Sequence, residues 1–212
     1  MTPDFGISPL RQGIDCSQLW EGVTDDRVRA AMQSVMRHVF VRDEAQMSAY
    51  LDIESPIGHG RRCPQPTVAA RLVEAAEPVH GAHVAVLEAG TGYLSALLAQ
   101  MGCEVTSVES NESLREAGTA AIQQLGLSDR VSWIPELTDD DAGRFDAVVV
   151  GAGVARAPRP WTAWLRAGGR LVVPIAQRRL AMLTVLGRDG SQLTRREVGV
   201  VSIHCLDRAP RT

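Results

Sequence analysis

Lysine is missing from this 212-residue chain; all 22 basic residues are arginine. A Schiff-base lysine and a phosphate-loop lysine are thereby excluded as mechanisms. Cysteine is scarce and scattered. Cys16, Cys63, Cys103 and Cys205 form no Cys-x-x-Cys pair, so a metal site is not expected and a reduced, cytoplasmic setting is the default. Aromatic residues make up 4% of the chain and the formal net charge is −3. Neither fits a basic, aromatic-studded nucleic-acid surface. No apolar run approaches the roughly 18 residues that would cross a bilayer. The opening MTPDFGISPL has neither the charged nor the apolar region of a secretion signal. A chain of this length buries roughly 70% of its unfolded surface, enough for a core without staples.

What is present centres on His83–Glu109. His83–Leu87 is a short apolar run, and Glu88-Ala89-Gly90-Thr91-Gly92 follows it as a glycine loop. Leu94, Leu97, Leu98 and Met101 repeat at helical spacing, and Gly102 sits where a helix would stop. Val105–Val108 is a second strand ending in Glu109, 19 positions after Gly90. An acid at that distance is where nucleotide-binding folds hold a ribose. Ser95 occupies the place of the third glycine of a dinucleotide fingerprint, which argues against a nicotinamide oxidoreductase.

Around this unit the chain reads in order. Residues 1–22 show no clear periodicity and read as an arm or a frayed end. Thr24 is the expected N-cap of a helix buried through Val28, Ala31, Met32 and Val35, with Asp25 and Asp26 in its first turn. Residues 50–66 hold too many Gly and Pro for regular structure and make a candidate substrate loop. Within it, adjacent Arg61 and Arg62 suit bidentate capture of a carboxylate or phosphate. His59 reads as a surface residue rather than a general base. Pro66 suits the first turn of a helix. A helix over Leu114–Leu125 and strands at Val131–Ile134, Phe145–Val150 and Arg170–Pro174 follow, with a short helix at Pro160–Leu165 before Gly168-Gly169. Leu180–Leu186 and Leu193–Val201 form a hairpin. The expected fold is α/β: a Rossmann-like, doubly wound, mostly parallel seven-stranded sheet with a C-terminal antiparallel hairpin and an N-terminal helical extension.

Several segments in order resemble the protein-L-isoaspartate O-methyltransferase family of class I S-adenosylmethionine (SAM)-dependent methyltransferases. They are GVTDDRVRAAMQSVMRHVFV, AYLD at 49–52, IGHG at 57–60, Gln65-Pro66, VLEAGTG at 86–92, VTSVE at 105–109, FDAVVV, and LRAGGRLVVPI at 165–175. The likeness covers residues 22–206. Three departures stand out. Arg62-Cys63-Pro64-Gln65-Pro66 replaces the family's T-I-S-x-P, Tyr93 follows Gly92 directly, and Pro135-Glu136-Leu137 stands where the family has G-D-G.

The resemblance implies a SAM-dependent carboxyl O-methyltransferase, divided into an extension over 1–80 that contributes the substrate loop and a SAM-binding core over 81–212. It implies Glu88, Ala89, Gly90, Thr91, Gly92, Glu109, Ser110 and Glu136 at the cofactor, and Ile57, Gly58, His59, Gly60, Arg61, Arg62 and Gln65 at the acceptor. The implied acceptor is a peptide or small-molecule carboxylate. A carboxylate is already a nucleophile at neutral pH, so no general base is required. The alternative is a non-catalytic relative retained as a binding protein.

Overall fold

The computed structural model describes residues 22–206 apart from 178, 179 and 191; the expected N-terminal arm lies outside the described residues. The architecture is a seven-stranded sheet of β3 (His83–Leu87), β4 (Glu104–Val108), β5 (Val131–Ile134), β6 (Phe145–Val150), β7 (Leu165–Gln177), β8 (Leu180–Asp189) and β9 (Gln192–Val201). Its spatial order is β5-β4-β3-β6-β7-β8-β9. The first five strands run parallel, and β8 and β9 close the edge antiparallel. The chain leaves β3 for β4 on one side and returns to pair β6 on the other, so the strand order reverses at β3. Ligands of open α/β sheets bind outside the strand carboxyl ends at such a reversal.

The central strands β3 and β6 are apolar apart from His83 and Asp146 near their starts, because both faces are buried. Val84, Val86, Ala147 and Val149 face a large core shared with α1 (Asp26–Ser34), α2 (Pro66–Ala76), α3 (Tyr93–Gln100) and α4 (Glu112–Gln124). Ala85, Leu87, Val148 and Val150 face a smaller core closed by Trp161, Leu165 and Leu137. Alternate residues of one strand thus serve two cores. Ser95 on α3 is fully buried and donates or accepts across 2.7 Å to Ser107 of β4. That polar pair ties helix to strand where a third glycine was absent.

Four local expectations are corrected. The N-cap of α1 is Asp25, whose carboxylate accepts from the Arg27 amide at 2.8 Å. Thr24 instead gives its amide and hydroxyl to Glu74 of α2, both at 2.7 Å, because tertiary packing brings that carboxylate within reach. Residues 50–66 are not wholly irregular: β1 (Ser55–Gly58) and β2 (Arg61–Cys63) pair antiparallel. The turn between them is His59-Gly60, both at positive φ (51° and 70°), the geometry of a two-residue hairpin turn. The short helix expected at Pro160–Leu165 is a 3-10 turn over Arg159–Thr162, and Leu165 already pairs with Phe145. Gly168-Gly169 is therefore an irregularity inside β7, where the register shifts, rather than a helix stop. Finally, α4 begins at Glu112, capped by the Asn111 side chain accepting from Leu114.

Candidate cofactor and acceptor site

The site forms at the strand carboxyl ends. After β3 the backbone turns at once: Glu88 has φ 55°, Gly90 58° and Gly92 91°. A non-glycine residue in the left-handed region is strained, and such residues are enriched at functional sites. The Ala89 amide donates to the Val108 carbonyl and the Gly92 amide to Ala89, which curls the loop against β4. Gly92 is the N-cap of α3, so Tyr93 opens the helix directly and is buried. A methyl group at Gly90 would sit 2.6 Å from Ile57 Cδ1 of β1. The hairpin thus packs directly on the glycine loop.

Glu109 follows β4 and is 1% exposed. Its carboxylate accepts the Gly90 amide at 2.9 Å and the Asn111 amide at 3.0 Å. Arg61 reaches in from β2. It lies 2.7 Å from Glu88 Oε2, 3.3 Å from Glu109 Oε2 and 3.4 Å from Glu109 Oε1. One guanidinium therefore bridges two acids from two strand ends. Burial pushes the Glu88 carboxyl above its usual range; Arg61 opposes this and the Glu109 charge adds to it. Burial likewise raises the Cys63 thiol, which removes it as a ready nucleophile.

A cavity of about 10 Å³, room for about one water, lies between hairpin and loop. Ile57, Arg62, Glu88, Ala89, Gly90 and Thr91 line it. Cys63, Pro64, Tyr93, Leu94 and Gly151 complete the wall. Of the residues read from the sequence as cofactor or acceptor contacts, these six, with Arg61 and Glu109, are brought together. Gly92 stands behind them against Trp133. Ser110 and Glu136 are exposed beyond the ends of β4 and β5, and neither lines the cavity. Gly58, His59 and Gly60 form the hairpin's outer end, and Gln65 precedes α2 outside the cavity.

Sequence reasoning missed Arg37 as a site element. It is 1% exposed and donates to the carbonyls of Ala49, Ile53 (3.1 Å) and Pro64 (2.9 Å) and to Ser55 Oγ (3.3 Å). Its guanidinium carbon also lies 5.5 Å from the Tyr93 ring centre. It bolts both ends of the hairpin segment to the glycine-loop helix. The signal was a lone arginine inside an apolar stretch, Val35 to Val41. Gly151 was also missed: it follows β6, and a methyl there would meet the Glu88 carbonyl at 2.7 Å.

The donor chemistry suits a nucleoside cofactor. A buried carboxylate beside a glycine loop at a sheet reversal accepts a ribose diol, and the loop admits close backbone approach. This defines a Rossmann-like nucleotide-binding fold. The family profile described as protein-L-isoaspartate(D-aspartate) O-methyltransferase matches residues 16–208. The protein-L-isoaspartate O-methyltransferase of Roseiflexus sp. (strain RS-1) is 37% identical over 174 residues, covering 81% of this chain and 80% of that one. That of Methylorubrum extorquens (strain PA1) is 36% identical over 208 residues, covering 94% and 88%. A Plasmodium falciparum relative crystallised with S-adenosyl-L-homocysteine superposes with a TM-score of 0.76 at 21% identity, covering 91% of this chain and 96% of that one; this likeness shows the fold. The chain belongs to the protein-L-isoaspartate(D-aspartate) O-methyltransferase family. It is a SAM-dependent methyltransferase.

Proposed function

We propose that the protein methylates a carboxylate of an isoaspartyl residue in a peptide or protein, with SAM as donor. The observation that carries this reading is the buried Glu109 carboxylate, fastened to the Gly90 amide where the sheet order reverses. SAM supplies an activated methyl on a sulfonium, so the protein has only to align an oxygen with it and keep water out. Glu109 would take the ribose hydroxyls. Gly90 and Gly92 would let the backbone approach the methionine end. Arg62, which lines the cavity and makes no ion pair among the described residues, would hold the acceptor carboxylate. Its guanidinium stands where the family motif has a hydroxyl residue, so acceptor capture would rest on charge rather than on a neutral hydrogen bond.

We assign residues 1–80 to holding the acceptor and 81–212 to the cofactor. A reducing compartment such as the cytoplasm fits the free thiols at Cys63 and Cys103. Among the described residues no helix is long and apolar enough to cross a membrane.

The test is methyl transfer from SAM to a synthetic hexapeptide with one L-isoaspartyl residue, against the same peptide with normal aspartate. Transfer confined to the isoaspartyl peptide is expected. No transfer to either, with SAM binding intact, would remove the isoaspartyl reading and leave a methyltransferase for another carboxylate. In calorimetry Glu109→Ala should weaken SAM binding about tenfold or more, the cost of a lost charge-assisted pair. An unchanged affinity would place the ribose elsewhere.

A further inference from the structure

The Glu109 carboxylate is nearly fully committed. A carboxylate offers about four acceptor positions; hydrogen bonds from the Gly90 amide, the Asn111 amide and Arg61 Nη1 take three of them, and Arg61 Nη2 is ion-paired at 3.3 Å. A ribose diol needs two of these. The backbone amides are fixed by the loop and by the start of α4, so they stay. Arg61 is the exchangeable partner. Its contacts with Glu109, 3.3 and 3.4 Å, are longer than its 2.7 Å contact with Glu88, so Glu109 is the pair it yields more easily. Resting on the proposed cofactor site, we propose that Arg61 is a gatekeeping ligand of Glu109 which the cofactor ribose displaces, so that loading the cofactor leaves Arg61 held by Glu88 alone.

Physical consequences follow from where Arg61 sits. It lies on β2 next to Arg62, which borders the cavity. On losing Glu109, Arg61 turns wholly to Glu88 on the glycine loop itself. The exchange is also of like charge. The guanidinium is a cation, and SAM carries a sulfonium cation whereas its demethylated product is uncharged at sulfur. An arginine kept beside Glu88 repels the former more than the latter.

The test is calorimetry of SAM and of S-adenosylhomocysteine on the wild type, Arg61→Ala and Arg61→Met. The methionine variant keeps the aliphatic stem packed if the alanine variant misfolds. Either variant should bind S-adenosylhomocysteine roughly tenfold tighter, the weight of one charge-assisted competitor, and the gain for SAM should be larger. Binding by the variants alone, with none by the wild type, would support the gate in its strongest form. Unchanged or weaker binding in a folded variant, with the wild type binding normally, overturns the gate and leaves the proposed function standing. Binding by neither wild type nor variants overturns the cofactor site and this inference with it.

Discussion

At the residue scale, most of what positions the site is done by buried charge. Arg37 donates to three backbone carbonyls that, among the described residues, receive no other hydrogen bond. Arg37→Ala would leave those carbonyls dry, at about 1–3 kcal/mol each before relaxation. A loss on the order of 3 kcal/mol in urea unfolding is expected. Arg37→Lys should recover less than half of it, because an ammonium cannot reproduce the planar fork; full rescue by lysine would show that charge alone, not geometry, holds the hairpin. Glu88 gives a pH signature. Its folded carboxyl is raised above the 4.5 of the unfolded chain, so between those values the folded state binds more protons than the unfolded one. Its contribution is then fully present below 4.5 and fades as pH rises through the folded value. Comparing wild type with Glu88→Gln across pH 4 to 8, the variant should lack that declining limb. Parallel curves would show Glu88 titrating as an ordinary surface acid.

At the element scale, what could be read from the sequence depended on whether the deciding forces were local. β3, β6 and α2 were legible because a strand buried on both faces must be apolar throughout, and because Pro66 marks a helix start. The β1–β2 hairpin was not. Its strands are four and three residues long, too short for alternation to register, and its turn depends on positive φ at His59, which composition does not announce. The Arg61 bridge was illegible for a different reason: Glu109 lies 48 positions away, and only the packing of hairpin on loop joins them. Gly118 is a similar case. It sits inside α4, where alanine would ordinarily stabilise by about 1 kcal/mol. Here an added methyl would meet the Trp133 ring at 2.4 Å and the Thr91 carbonyl at 3.0 Å. A rigid ring and a backbone oxygen cannot yield cheaply, so overpacking of about 1–3 kcal/mol wins. Gly118→Ala is expected to lower the melting temperature and to weaken S-adenosylhomocysteine binding, because Thr91 belongs to the loop; higher stability would mean that α4 can slide away from β5.

At the scale of the whole molecule, the parts proposed to hold acceptor and cofactor share one core. One hydrophobic core runs from Val23 and Val28 through α2 and α3 to Val201 and Ile203. Polar ties cross the same boundary: Glu54 accepts the His204 amide, and Arg71 of α2 donates to the Val200 carbonyl at 2.8 Å. Splitting residues 1–80 from the sheet would expose α2, whose Leu72 and Val73 are fully buried. Heating should therefore produce one cooperative transition, with calorimetric and van't Hoff enthalpies equal. S-adenosylhomocysteine at 100 times its dissociation constant adds about 2.7 kcal/mol. At roughly 2–4 °C per kcal/mol for a chain of this size, the single transition should rise by roughly 5–10 °C. It should rise as a unit even though the ligand is expected to touch mainly the loops after β3 and β4. Two transitions, of which only one moves with ligand, would show that the first 80 residues melt on their own, and the hairpin would then have to be held by something other than the shared core.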